Sequence, residues 1–194
     1  MKNRSFLSID EAGIVIRLDS CSKFIAPGLR IGWITAAPEF INKYLFLQEV
    51  SCQFPSGLSQ SIFVGLLKSW GSEGLDSHLQ KTQKHYRDQC SATITALKDN
   101  FSGDICQYVI PTGGMFVWLT FNLPRFTSFD LFKAFASAGV ITVPGEDFFV
   151  KGIIPFKFAN TLPSIRITFA ASTPQQIAQA IAKMADCIKA LQRT

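Results

Sequence analysis

The sequence predicts a mixed α/β fold, because short runs of β-branched and aromatic residues alternate with longer segments of helical periodicity along the whole chain. Of the 194 residues, 47% are apolar, which is enough to build a hydrophobic core. The apolar runs are too short or too interrupted to cross a bilayer, and the first residues carry no hydrophobic signal region. A cytoplasmic protein that makes no membrane contact is therefore expected.

The early part of the chain predicts two strands followed by helices. A polar loop with a Pro27-Gly28 turn separates the strands, and the two helices that follow carry apolar residues at helical spacing. A longer polar segment is predicted to be a connecting helix half in solvent. In chain order, the predicted strands are residues 13–18 and 29–35, and the predicted helices are residues 38–50, 56–70 and 73–101.

The later part of the chain predicts four strands and two helices. The final helix has the clearest start, since Thr173 and Gln176 form a capping box around Pro174 at the first helical position. The predicted strands are residues 105–110, 114–121, 140–145 and 164–170, and the other helix covers residues 128–139. One apolar face of the final helix carries Ile177, Ile181, Met184, Ile188 and Leu191.

These elements predict two domains. Residues 73–194 are expected to form a small α+β domain with its connecting helix, whereas residues 1–72 are expected to be the C-terminal remnant of a larger α/β domain. Such a remnant of a parallel sheet is expected to expose strand edges and apolar faces.

Charge, cysteine and histidine patterns argue against several kinds of site. The net charge is +5, but the basic residues form no stripe, so nucleic acid is not an expected partner. The five cysteines are widely spread without a C-x-x-C pair, which predicts neither a disulfide framework nor a zinc site. His78 and His85 share a helix face without a third metal ligand, so both are expected to face solvent and no metal site is predicted.

The segment "SCSKFIAPGLRIGW", which contains Lys23, combines an amine with groups that bind anions. The hydroxyls of Ser20 and Ser22 and the guanidinium of Arg30 suit a phosphate. A lysine near other cations or partly buried loses its proton more readily, and the neutral amine can condense with an aldehyde. The segment therefore predicts a site for an aldehyde that also carries a phosphate.

The same segment resembles the lysine motif of the fold type I, class I/II pyridoxal-phosphate aminotransferases, in which S-x-S-K precedes P-G-x-R-x-G-[YW]. Three later segments resemble further motifs of that family in the same order: "PTGGMFVWL", "VPGEDFF" and "SIRITFA". The residues around Asp19 and the segment "GGMFVW" are most similar to those of the aromatic amino acid and 2-aminoadipate branch, which includes kynurenine aminotransferases.

The resemblance implies a function and a set of site residues. It implies that pyridoxal 5'-phosphate binds through Lys23 as the Schiff-base lysine and proton shuttle, with Ser20, Ser22 and Arg30 on the phosphate. It also implies that Arg166 binds the substrate α-carboxylate. The expected reaction moves an amino group between an amino acid, of aromatic or 2-aminoadipate type, and a 2-oxo acid, in an enzyme that is a homodimer at full length.

Few residues precede Lys23, whereas the family's ring-binding segments would lie before the lysine strand. The resemblance therefore implies the end of the large domain plus the small α+β domain of the fold, and a chain that is inactive alone. Three explanations for the short chain stay open: a truncated gene model, a fragment, and a shortened product with another role. The alternative function is a non-catalytic remnant or interaction module derived from such an enzyme.

Overall fold

The computed structural model describes residues 4–148 and 162–193, and the chain divides into two compact units, Met1–Thr82 and Gln83–Thr194. The predicted mixture of helices and strands is present in it. The predicted domain boundary after residue 72 and the division after Thr82 both fall within one long helix, α2, Gly57–Asn100. None of the helices in the described ranges has both the length and the apolarity needed to cross a bilayer.

The first unit contains two strands, β1 (Arg17–Ser20) and β2 (Gly32–Thr35), the helix α1 (Pro38–Ser51) and the start of α2. The prediction of a strand over residues 13–18 is wrong at its start. There the Asp10 carboxylate accepts hydrogen bonds from the backbone N–H groups of Ala12, Ile14 and Val15. These bonds hold the chain in a turn, so the strand begins only at Arg17.

The strands β1 and β2 pair antiparallel, with Leu18 opposite Ile34. The expectation of a parallel-sheet remnant is therefore wrong for the described strands of this unit. The physical reason is the short connection, since a parallel pair needs a crossover of a dozen or more residues, and residues 21–31 instead form a loop that turns the chain back.

The helix α2 covers both predicted helices, residues 56–70 and 73–101, and its backbone breaks between them at Gly71. Gly71 has φ 59° and ψ −168°, a conformation that is essentially restricted to glycine. The break redirects the chain between Trp70 and the part of the helix that carries His78.

The second unit contains a four-stranded sheet in the order β3-β4-β6-β5, and each neighbouring pair is antiparallel. All four strands predicted for this unit, residues 105–110, 114–121, 140–145 and 164–170, are shorter in the structure. The strands are β3 (Cys106–Tyr108), β4 (Phe116–Phe121), β5 (Val143–Pro144) and β6 (Ser164–Thr168). Two helices accompany them, α3 (Ser128–Ser137) and α4 (Pro174–Gln192).

The core of the second unit lies on one face of this sheet. Val117, Leu119 and Phe121 alternate along β4 and are almost completely buried. Apolar side chains of the helices pack in the same cluster: Leu97, Leu131, Phe135, Ile177, Ile181, Met184 and Ile188. The intervening residues of β4 point to the opposite face, where Trp118 remains 38% exposed. Among the described residues, the helices of this core pack on one face of the sheet, and Trp118 lies partly exposed on the other.

The predicted capping box of α4 is confirmed. The Thr173 hydroxyl accepts from the Gln176 backbone N–H at 3.3 Å, and the Gln176 side chain accepts from the Thr173 N–H at 2.9 Å. Four of the five residues predicted for the apolar face are buried, and Leu191 packs partly buried beside them. Local sequence signals therefore determine where α4 begins and which face it buries.

Thr173→Ala is expected to lower the free energy of unfolding of the second unit by about 1 kcal/mol, because the Gln176 backbone N–H at the start of α4 loses its acceptor, the Thr173 hydroxyl. Urea unfolding followed by hydrogen exchange of α4 amides measures this change. Gln179→Ala, at an exposed position within α4, is the matched control and is expected to change stability by less than about 0.5 kcal/mol. An equal loss in both variants would contradict the capping role.

The first unit buries far less. Among its described residues, Cys21 is the sole buried hydrophobic side chain. Many large apolar side chains are exposed there, and Val50 and Phe54 are each 83% exposed. Exposed apolar surface on this scale marks an interaction surface or an aggregation liability.

Candidate active site

The two predicted phosphate-binding serines contact each other at the end of β1. Ser20 caps a 3-10 turn formed by Cys21–Lys23, and its Oγ accepts from the Ser22 backbone N–H at 3.2 Å. The Ser20 hydroxyl also lies 3.0 Å from Ser22 Oγ and donates to it. Because serine and threonine side chains cap helical turns in this way, the S-x-S spacing itself brings the two hydroxyls together.

Lys23 is the last residue of that turn, and its side chain is exposed. The backbone around it is held by N–H groups of Phe24 and Ile25, which donate to the Cys21 carbonyl at 3.3 and 2.9 Å. The Cys21 N–H in turn donates to the Ile31 carbonyl at 3.0 Å. Burial raises the pKa of the Cys21 thiol, so this residue stays protonated and acts as packing beneath the loop.

Arg30 lies on the returning arm of the same loop. Its backbone is left-handed, with φ 53° and ψ 38°, and its guanidinium donates to the Pro27 carbonyl at 3.3 Å. The structure therefore places Ser22, Lys23 and Arg30 on the connection between β1 and β2, and Ser20 at the end of β1 directly before it. This set offers two hydroxyls, a guanidinium and an amine, which are the donors and the nucleophile that a phosphate-bearing aldehyde requires.

His78 was expected to face solvent, and the structure shows that this prediction is wrong. It is half-buried, and its Nε2 lies 2.5 Å from the Phe24 carbonyl oxygen, directly after Lys23. Its ring stacks on Trp70 with centroids 4.7 Å apart. The expectation failed because helical periodicity shows which residues share a face but not that the loop returns to that face. His85 is exposed, as predicted.

Arg166 lies on β6 in the second unit, opposite Trp118 on β4. Its guanidinium carbon is 4.2 Å from the ring centroid of Phe116 and 4.6 Å from that of Phe148. The Phe148 ring also meets Trp118 edge-on at 5.4 Å. Phe148 belongs to the short helical turn Gly145–Phe148 that follows β5, and Phe149 of the same predicted motif lies outside the described residues.

These rings hold the Arg166 guanidinium by its faces, which is the favourable geometry for cation–π contact. Over residues 4–148 and 162–193 no carboxylate forms an ion pair with it. A guanidinium held by its faces keeps its edge N–H groups for a planar carboxylate. Phe116 and Trp118 occupy the alternate positions of β4, on the face opposite to the buried Val117 and Leu119.

Comparison with known proteins adds a family match. Residues 2–184 match the family described as Aminotransferase class I and II. The chain is 36% identical over 155 residues to the aromatic amino acid aminotransferase C1773.13 of Schizosaccharomyces pombe, which covers 74% of this chain and 32% of that protein. It is 32% identical over 185 residues to the mitochondrial kynurenine/alpha-aminoadipate aminotransferase of Mus musculus, with 95% and 42% covered.

Among solved structures, the chain resembles LysN, the alpha-aminoadipate aminotransferase of Thermus thermophilus, with a TM-score of 0.80 and 28% identity. The match covers 92% of this chain and 42% of that one, which was solved in complex with N-(5'-phosphopyridoxyl)-L-leucine. The chain thus spans less than half the length of each of these three proteins.

Proposed function

Because this chain belongs to the class I and II aminotransferase family, we propose that it forms the C-terminal part of an enzyme that moves an amino group between an amino acid and a 2-oxo acid. The observation that carries the proposal is the loop between β1 and β2, where two contacting serine hydroxyls stand directly before Lys23. In this proposal, residues 1–72 are the end of the large domain and residues 73–194 are the small domain.

The loop residues fit pyridoxal 5'-phosphate, the cofactor that we propose for this site. Ser20 and Ser22 would donate hydrogen bonds to the phosphate, and Arg30 would add a charge-assisted bond. The Lys23 amine would hold the aldehyde carbon. The chemistry that the bound cofactor supplies is an electron sink for the bond that breaks at the substrate α-carbon. The related Thermus thermophilus structure carries a phosphopyridoxyl amino acid.

Within this mechanism, the Lys23 amine would accept the proton that leaves the substrate α-carbon. Its position at the end of a hydrogen-bonded turn limits where the amine can reach. Arg166 binds the substrate carboxylate with two parallel hydrogen bonds, while Phe116 and Phe148 hold the plane of its guanidinium.

The proposed amino donors are aromatic or 2-aminoadipate-type amino acids. The support is the pair of relatives described above, one named for aromatic amino acids and the other for kynurenine and alpha-aminoadipate. The homodimer at full length and the cytoplasmic location stay predictions, and the mouse relative is named as a mitochondrial protein.

The isolated chain is expected to produce no 2-oxo acid above the background of free cofactor when incubated with pyridoxal phosphate and amino acids. Two observations support this expectation: the chain spans less than half of its relatives, and its first unit exposes many apolar side chains that the remaining fold would cover. Coupled assays with kynurenine, 2-aminoadipate and phenylalanine measure it. Robust production that disappears in Lys23→Ala would contradict the expectation.

The activity itself is tested by a chimera in which this chain replaces the matching segment of the mouse aminotransferase. We expect the chimera to convert kynurenine or 2-aminoadipate, and we expect Lys23→Ala to abolish conversion. Lys43→Ala, an exposed lysine on α1, is the matched control and should retain it. A folded chimera that binds the cofactor without converting any amino acid would favour the alternative, a non-catalytic interaction module.

A further inference from the structure

We propose that His78 is a positioning residue for Lys23, which it serves by holding the backbone carbonyl of the next residue, Phe24. The inference rests on the proposed role of Lys23. It goes further because it assigns a task to the segment Trp70–His78, which follows the Lys23 loop at a distance in sequence and which the proposed mechanism does not use.

His78 Nε2 and the Phe24 carbonyl oxygen form a hydrogen bond of 2.5 Å. A carbonyl only accepts, so the Nε2 atom must carry the hydrogen. The bond joins residues 54 positions apart and is partly buried, so it ties α2 to the loop. On the other side of the same residue, the Phe24 N–H donates to the Cys21 carbonyl. The residue after Lys23 is therefore held at both its N–H and its carbonyl.

The Trp70 ring orients the His78 imidazole by stacking on it, with the ring centroids 4.7 Å apart and an angle of 30° between the planes. Two glycines permit this stack. Gly71 adopts a backbone conformation essentially restricted to glycine, and a Cβ atom at Gly74 would lie 2.8 Å from the Trp70 Cβ. The pattern W-G-x-x-G-x-x-x-H in "WGSEGLDSH" is thus one structural device, which we name the histidine clamp.

The histidine clamp limits how far the backbone beside Lys23 can move. A lysine side chain has four rotatable bonds, so the reach of its amine depends on a fixed main-chain origin. Reactions that need near-attack geometry lose rate when that origin moves by about 1 Å. Holding the Phe24 carbonyl removes one source of such movement. A brace that only joined the helix to the loop would leave the reactivity of Lys23 unchanged, and this difference is measurable.

The test compares hydrogen exchange in the chain as it stands, at the backbone amides of Phe24 and Ile25. In His78→Ala these amides are expected to exchange about tenfold faster, because the loop loses a partly buried hydrogen bond. His78→Gln keeps a hydrogen-bond donor at the corresponding atom, so the exchange rates of the Phe24 and Ile25 amides should stay close to those of the unmodified chain. His85→Ala, the exposed histidine further along α2, is the matched control and should change nothing in the loop.

Unchanged exchange in a folded His78→Ala, or an equal change in His85→Ala, overturns the clamp. If His78→Ala loses its helical circular dichroism, Trp70→Leu decides instead, because it removes the stack and keeps the donor. In Trp70→Leu, faster exchange of the Phe24 and Ile25 amides with unchanged exchange of the β2 amides supports the clamp. Unchanged exchange of the Phe24 and Ile25 amides overturns it.

The second measurement concerns Lys23 itself. The chain is first incubated with pyridoxal phosphate, the imines are then reduced with borohydride, and the labelled lysines are mapped by mass spectrometry. We expect a preference for Lys23 over Lys43 that falls several-fold in His78→Ala and returns in His78→Gln. Faster exchange with an unchanged preference would make His78 a structural brace and overturn its positioning role. Absence of any preference for Lys23 in the unmodified chain would instead contradict the proposed function, while the exchange data still decide the clamp.

Discussion

Lys23→Ala is expected to abolish the site-selective attachment of pyridoxal phosphate to this chain. In the unmodified chain, Ser22 and Arg30 belong to the same loop as the lysine, and Ser20 directly precedes it; these three residues would hold the cofactor phosphate, so that the aldehyde would be delivered to one amine. Such delivery raises the effective concentration of the aldehyde at Lys23, and we expect labelling at least about tenfold above that of an exposed surface lysine. Borohydride reduction followed by peptide mapping measures the ratio.

Two variants sharpen this prediction. A double variant, Ser20→Ala with Ser22→Ala, keeps the amine but removes both hydroxyls, so the preference for Lys23 should fall while total labelling changes little. Lys43→Ala should leave labelling of Lys23 as it was, because α1 contributes no predicted phosphate donor. Equal labelling of Lys23 and Lys43 in the unmodified chain would count against a cofactor site in this loop.

Phe121→Ala is expected to lower the free energy of unfolding of the second unit by about 3–5 kcal/mol. Phe121 is completely buried, and its ring contacts those of Phe101 and Phe135 at 5.6 and 6.0 Å between centroids. Removing the ring leaves a cavity beside Phe101 and Phe135, and the loss is a large share of the about 5–15 kcal/mol that stabilises a typical domain.

Hydrogen exchange of the β4 and β6 amides, measured over a urea series, reports this loss in the second unit alone. Phe129→Ala is the matched control, since Phe129 is 52% exposed on α3 and its removal leaves no buried cavity. We expect that variant to stay within about 1 kcal/mol of the unmodified chain. Comparable losses in the two variants would show that Phe121 is not the centre of the core.

Local chemistry made much of the fold and site predictable. The capping box at Thr173 and Gln176 and the apolar face of α4 depend on residues a few positions apart, so the sequence shows them directly. The serine pair before Lys23 is of the same kind, because the hydroxyl contact lies within one turn. The aminotransferase family and the mixed fold, both predicted from the sequence, are confirmed.

Other features depend on contacts between residues far apart in sequence. The pairing of β1 with β2, the rings around Arg166 and the bond between His78 and Phe24 each need a chain that has already turned back on itself. Periodicity reports one element at a time, so it showed neither which aromatic side chains would meet Arg166 nor which loop would reach His78.

The sequence by itself therefore determined the family, the order of the helices and strands of the second unit, and the lysine with its neighbouring hydroxyls. Only the tertiary structure decided the surroundings of that chemistry: a histidine on the carbonyl after Lys23, and two phenylalanine rings on the faces of Arg166. The physical reason is the separation along the sequence of the residues that interact. Caps and turns are stabilised within a few residues, whereas the position of a reactive side chain is set by packing against elements distant along the chain.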